Sequence, residues 1–138
     1  MFGIPKRQKN TVSEDVVDAL SFTYNSVEIA VMDRLGTRTE VAEGTVIAAE
    51  GKLGAEAILL LEGTADVSRD GVKVATVGKA DIVGEGSLLT GKPRNASIVA
   101  NTTVDLVTFT PQEFSGLLNA CPRLDVQMKQ LLEERVPA

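Results

Sequence analysis

No histidine occurs among the 138 residues. That removes the side chain best suited to proton transfer near neutral pH, and with it every histidine-ligated metal site. There is one cysteine, Cys121, so no disulfide can form within the chain, and a reducing, cytoplasmic compartment is expected. Cys121 falls in an apolar helical pattern and reads as a packed core residue. No run approaches the roughly 20 apolar residues that a membrane-spanning helix requires. The N-terminus, MFGIPKRQKN, has charges but no apolar stretch behind them, so it does not read as a signal peptide. A basic excess is missing too. The formal net charge of −5 argues against a large phosphate-backbone surface and so against direct nucleic-acid binding. Lys6, Arg7 and Lys9 read as a solvated tail.

What is present suits one domain with a real core: 43% of the residues are hydrophobic. Residues 1–12 read as a flexible arm and residues 13–138 as a single domain. SEDVVDALS and NSVEIAVMDRLG have helical texture. Ser26 is the expected cap of the second helix, Ile29, Met32 and Leu35 its buried stripe, and Gly36 its stop. From about residue 37 glycines recur between short pieces rich in valine, isoleucine, leucine and threonine, which is how short strands joined by tight turns look. AILLL is apolar on both faces and reads as central. TADVSR alternates, with Ala65 and Val67 set against Asp66 and Ser68. Asp70–Gly71 is the expected hairpin turn. Strand spacing this even points to a sandwich or roll of about eight strands. After it, Thr110, Pro111 and Glu113 spell a helix start with a capping box. Phe114, Leu117, Leu118 and Cys121 line that helix. Pro122 breaks it. Leu124, Met128, Leu131 and Leu132 stripe a final helix that is expected to fray near Glu134 and Arg135.

The chemistry concentrates in VGEGSLLTGKPRNASIVA, residues 83–100. Gly84 lets the backbone turn after a short strand. A helical turn then starts near Glu85, and its first amides lack internal partners and favour an anion. Gly86 has no side chain to keep a ligand away from the backbone. An ionised Glu85 only accepts hydrogen bonds, and sugar hydroxyls would supply donors. Pro93 stiffens the approach to Arg94, whose planar guanidinium matches phosphate oxygens in pairs. The alternative for Arg94 is a structural ion pair with Glu85 or Asp81. The alternative for Glu85 is a helix-start carboxylate satisfied by local amides.

This segment resembles the phosphate-binding cassette of cyclic nucleotide-binding domains. That cassette reads Phe-Gly-Glu, a variable residue, Ala or Ser, Leu, a short gap, then Pro-Arg, a small or polar residue, and Ala. The chain has VGEGSLL, TGK and PRNA, and upstream VGKADIVGE is similar to the family's lead-in. The resemblance covers about residues 26–136. It implies a mainly β fold, an eight-stranded antiparallel β roll with N-terminal helices and two C-terminal helices. It also implies that Arg94 pairs with the cyclic phosphate and Glu85 with the ribose 2′-hydroxyl. Backbone amides around Gly86 and Ser87 would complete the phosphate shell, and Gly84, Asn95 and Ala96 would line the ligand. Three positions depart from the family pattern. Val83 stands in place of phenylalanine. Ala80 stands in place of a turn glycine, which is expected only if its φ is not positive. Asn95 stands where cAMP-selective members have alanine and cGMP-selective ones threonine.

The sequence thus points to a receiver of cyclic nucleotides, cAMP in preference to cGMP, signalling through its C-terminal helices. It does not point to an enzyme. There is no evident nucleophile–base pair and no clustered carboxylate pair of the kind a phosphodiesterase metal site needs. No cofactor is expected beyond the nucleotide ligand. A cupin-like enzyme would want histidines. The sequence holds no helix-turn-helix after the final helix, so output is expected through a protein partner, a homo-oligomer or a further part of a longer protein. The rival reading is a degenerate domain that keeps the roll as a protein-interaction scaffold and binds no ligand.

Overall fold

The computed structural model describes residues 12–135, with side chains described through Leu131. The expected arm lies outside these residues except for Val12, which packs against the core. Leu132 and the expected fraying at Glu134 and Arg135 lie outside the described side chains.

Two helices come first, α1 (Glu14–Leu20) and α2 (Ser26–Leu35). Eight strands follow: β1 (Thr37–Val41), β2 (Val46–Ala48), β3 (Ala57–Glu62), β4 (Ala65–Arg69), β5 (Val72–Val77), β6 (Ile82–Val83), β7 (Ser97–Ala100) and β8 (Val104–Phe109). A six-residue helix, α3 (Glu85–Thr90), interrupts them between β6 and β7. The chain then runs into α4 (Pro111–Ala120) and α5 (Pro122–Arg135). The strands form two antiparallel four-stranded sheets, ordered β1-β8-β3-β6 and β2-β7-β4-β5. This is the expected β roll with helices at both ends.

The strand β3 shows why the roll holds together. It lies between β8 and β6, and every residue from Ala57 to Leu61 is buried. Side chains alternate across a strand, so the two faces feed two cores. Ala57, Leu59 and Leu61 pack under the helices with Met32, Phe114, Leu117 and Leu124. Ile58 and Leu60 point into the roll with Val83, Ile98, Val104 and Leu106. Burying each such aliphatic side chain contributes roughly 1.5–3 kcal/mol. The β4–β5 hairpin turns at Asp70 and Gly71, both at positive φ (54° and 79°), as a two-residue hairpin turn demands. The capping box at Thr110 and Glu113 forms as expected, with Pro111 in the first turn of α4. The helix α4 docks on the sheet through Phe114 against Phe109, ring centroids 6.4 Å apart. Its buried face is Phe114, Leu117 and Leu118, and Cys121 is buried at its end.

Three local expectations are corrected. The cap of α2 is Asn25, not Ser26: the Asn25 side chain accepts from the Glu28 amide and the Glu28 carboxylate accepts from the Asn25 amide. Asparagine and serine are equally good caps, so residue type alone did not separate two neighbours. Gly36 does end α2, but in extended backbone (φ −83°, ψ 168°) and not in a left-handed turn. Glycine is needed there for clearance, because a Cβ would collide with Val107 and come within 2.8 Å of the Phe109 ring. Ala80 does take a positive φ, 71°. A side chain in that conformation costs roughly 1–2 kcal/mol. Tertiary hydrogen bonds hold it there: Ala80 N donates to Leu60 O at 2.7 Å, and Ala80 O accepts from the Tyr24 hydroxyl at 2.6 Å.

Candidate functional site

The segment 83–96 folds as one unit around Arg94. Gly84 follows β6 in left-handed backbone (φ 80°, ψ −2°) and turns the chain into α3. Glu85 is the first residue of that helix and is 1% exposed. Gly86 follows, partly exposed. Ser87 is buried with its hydroxyl committed: it accepts from Gly54 N at 2.8 Å and donates to the Lys92 carbonyl at 2.5 Å. That one hydroxyl ties α3 to the loop before β7 and to the loop before β3. Gly91 closes α3, again in left-handed backbone.

Arg94 is fixed by its backbone and by its side chain. Its amide donates to Lys52 O at 2.7 Å and its carbonyl accepts from Gly51 N at 2.8 Å. Beside it, Pro93 bridges to Leu53. The guanidinium runs inward between two glycines. A Cβ at Gly54 would lie 3.1 Å from Arg94 Cζ, and one at Gly84 would collide with Arg94 Nη1. Arg94 Nη2 donates to the Glu56 carbonyl at 2.7 Å. Nη1 is buried and makes no hydrogen bond to any described residue. Burial pushes the Arg94 pKa down, and the nearby carboxylates of Glu56 and Glu85 partly offset that. A guanidinium with a buried donor to spare is costly to keep unless an acceptor meets it.

Asn95 is exposed, and its carbonyl accepts from Arg69 Nε at 3.0 Å. Ala96 is buried beside the start of β7. Val83 fills the inner core under the site. Asp81 is engaged locally, its carboxylate accepting from Gly78 N at 2.8 Å. The structure thus brings Gly84, Glu85, Ser87 and Arg94 together, with Gly86 in the same turn, and leaves Asn95 on the rim. Sequence reasoning missed Gly54 and the Glu56 carbonyl. Gly54 belonged to the glycine rhythm, but nothing marked it as the floor beneath an arginine. A backbone carbonyl carries no sequence signal at all. Among the described residues no group of acidic or sulfur side chains could hold a metal ion.

Comparison with known proteins agrees with this architecture. The family model for the cyclic nucleotide-binding domain matches residues 38–121. A cAMP-dependent protein kinase regulatory subunit of Debaryomyces hansenii is 36% identical over 115 residues, 83% of this chain and 25% of that protein. A cyclic nucleotide-gated potassium channel of Mesorhizobium japonicum is 30% identical over 111 residues, 80% of this chain and 30% of that protein. The chain therefore spans less than a third of the length of these relatives. Among solved structures, the second cyclic nucleotide-binding domain of a protein kinase A regulatory subunit, bound to Sp-2Cl-cAMPS, superposes with a TM-score of 0.70. It is 21% identical, over 98% of this chain and 95% of that one. The catabolite activator protein of Thermus thermophilus superposes with a TM-score of 0.73 at 22% identity, over 90% of this chain and 59% of that one. The regulatory subunit of a cAMP-independent protein kinase A from Trypanosoma brucei shares the fold as well, with a TM-score of 0.70 at 25% identity, over 94% of this chain and 50% of that one.

The chain belongs to the cyclic nucleotide-binding domain family. No helix among the described residues is long and apolar enough to cross a membrane.

Proposed function

We propose that this domain binds cAMP in preference to cGMP, with Arg94 on the cyclic phosphate and Glu85 on the ribose 2′-hydroxyl. The observation that carries the reading is Arg94 Nη1, a buried cationic donor with no hydrogen bond to a described residue, held between Gly54 and Gly84. A phosphate oxygen is the acceptor that suits a guanidinium best. Backbone amides of Gly86 and Ser87 lie in the first turn of α3, where amides lack helical acceptors and favour an anion. Gly84 and Ala96 shape the floor and Asn95 the rim. The cAMP preference is supported by the relatives whose names describe cAMP-dependent kinases. The fold by itself does not supply it, since the Trypanosoma brucei neighbour is named for a cAMP-independent kinase. The reading continues that the nucleotide favours one arrangement of α4 and α5 over another, with Pro122 at the hinge between them. A ligand shifts such a balance only by its differential affinity for the two arrangements. Output then runs to a protein partner or a second copy in the cytoplasm.

Calorimetric titration of nucleotide-stripped protein with cAMP, cGMP and 5′-AMP tests this. Micromolar or tighter binding of cAMP, with cGMP weaker and 5′-AMP much weaker, is the expected result. No heat from folded protein with any of the three would leave the ligand-free scaffold as the better account.

A further inference from the structure

Tyr24 sits in the connection between α1 and α2, far in sequence from the cassette, and is buried. Its hydroxyl donates to the Ala80 carbonyl at 2.6 Å in a fully buried hydrogen bond. Its own amide is anchored to Leu20 O at 2.9 Å, so the ring is held from a helix end. Burial pushes the hydroxyl's pKa up, which keeps it a donor throughout the usable pH range. The acceptor is not an ordinary carbonyl. Ala80 has φ 71°, a conformation its Cβ opposes. The same turn is tied by Asp81 N to Gly78 O at 3.0 Å and by Leu60 N to Asp81 O at 2.9 Å.

The Ala80 turn leads straight into the cassette. Only the two residues of β6, Ile82 and Val83, and their neighbour Asp81 separate Ala80 from Gly84. Among the described residues the strand β6 is at a sheet edge and pairs only with β3. A peptide rotation at Ala80 therefore passes through a short edge strand into Gly84 and Glu85. We propose that Tyr24 is a positioning residue for the nucleotide site: its hydroxyl holds Ala80 in left-handed backbone and so presets the start of the cassette. This rests on the reading that residues 84–96 take a cyclic nucleotide. The hydroxyl compensates for a residue type that resists the turn, so replacing Ala80 by glycine should make it dispensable.

Tyr24→Phe, Ala80→Gly and the double variant test this through two readouts, cAMP affinity by calorimetry and amide hydrogen exchange of residues 80–87 without ligand. Tyr24→Phe alone should weaken binding about tenfold, on the scale of one buried hydrogen bond, and speed exchange across 80–87. In the Ala80→Gly background the same change should cost about threefold or less, with exchange close to that of Ala80→Gly alone. Equal losses in both backgrounds, or unchanged affinity and exchange in Tyr24→Phe, would overturn the positioning role. If the unaltered protein binds no cyclic nucleotide, the ligand reading falls and the exchange arm decides alone. Acceleration that glycine abolishes upholds the hold of Tyr24 on the Ala80 turn, and equal acceleration in both backgrounds overturns it. Should Tyr24→Phe fail to fold, recovery of folding in the double variant upholds the role, and its absence overturns it.

Discussion

Arg123, one residue into α5, reaches back across the molecule to Glu28 in the first turn of α2. Its Nε donates to Glu28 Oε2 at 3.0 Å, and its Nη2 pairs with Oε1. Glu28 is only 3% exposed, although the same carboxylate also caps α2. The last helix thus supplies the cation for a buried acid that holds the start of an N-terminal helix. Burial works to raise the Glu28 carboxyl, and the hydrogen bonds from Arg123 and Asn25 more than offset it, leaving its pKa below the ordinary glutamate value.

Arg123→Ala should therefore lower the thermal midpoint at neutral pH by leaving a buried carboxylate without its cation. The pH dependence gives a sharper test. In the unaltered protein the folded-state pKa of Glu28 is depressed, so its contribution is present above the unfolded value of 4.5 and is lost as pH falls through the folded one. In Arg123→Ala burial prevails and the folded pKa rises above the unfolded value, so acid relieves the variant. The difference in midpoint between the two proteins should shrink as pH falls through the glutamate range. A constant difference would mean that the ion pair is not what couples α2 to α5.

A second acid-sensitive contact ties α1 to β1 and β8. Arg38 on β1 bridges Asp15 at 2.5 Å and Asp105 at 2.6 Å. The hydrogen bond from Arg38 is the main cause that takes the Asp15 pKa down to about 2 from 3.8. Its contribution is therefore full above the ordinary aspartate value and disappears as pH falls from there toward 2. The pair is exposed and screened by salt, so the effect on stability should be small. Carbon-detected titration of the Asp15 carboxyl by nuclear magnetic resonance should show the depressed value in low salt. Arg38→Ala should raise it toward the ordinary one, with the hydrogen bonds from Ser13 and Val16 still holding it down.

Gly84 and Gly91 make an internal control. Both take left-handed backbone, φ 80° and φ 72°. Alanine at Gly91 would meet no described residue within 4 Å, whereas alanine at Gly84 would collide with the Arg94 guanidinium. Gly91→Ala should cost only the backbone strain, roughly 1–2 kcal/mol in urea unfolding, and leave cAMP affinity intact. Gly84→Ala should carry the same strain and also displace Arg94, so its affinity loss should exceed that of Gly91→Ala by tenfold or more, about 1.4 kcal/mol. Similar affinities for the two variants would show that the guanidinium position does not control the site.

These contrasts mark how far the sequence could be read. The order of helices, strands and helices was legible because periodicity and turn chemistry are local. Asp70–Gly71, Thr110 with Glu113, and the break at Pro122 are each decided within a few residues. The central place of β3, between β8 and β6, is also visible, since its five-residue apolar run offers both faces to a core. Ala80, Gly36 and Gly54 were not legible, because each answers to something distant in sequence. Ala80 is held by Tyr24, Gly36 is pressed against Val107, and Gly54 lies under Arg94. The cassette could be found from residue types at fixed spacing. The inward course of its arginine, pinned by the carbonyl of Glu56, could not.

That inward course sets the most direct test of the site. Arg94 Nη2 is already bonded to Glu56 O, so the group left for an anion is Nη1. Arg94→Ala removes it and should weaken cAMP binding by about 2 kcal/mol or more, roughly thirtyfold, the cost of truncating one partner of a charged hydrogen-bonded pair. Arg94→Lys should not restore affinity, because an ammonium cannot bond the Glu56 carbonyl and a phosphate oxygen with the same fork geometry. Glu85→Ala should cost less and act elsewhere on the ligand. If the Glu85 carboxylate accepts from the ribose 2′-hydroxyl, the unaltered protein discriminates against 2′-deoxy-cAMP, and Glu85→Ala should narrow that gap without abolishing binding. Calorimetry with cAMP and 2′-deoxy-cAMP on the three variants separates the roles. A folded Arg94→Ala that binds as before would remove the phosphate assignment, and an unchanged ribose gap in Glu85→Ala would remove the other.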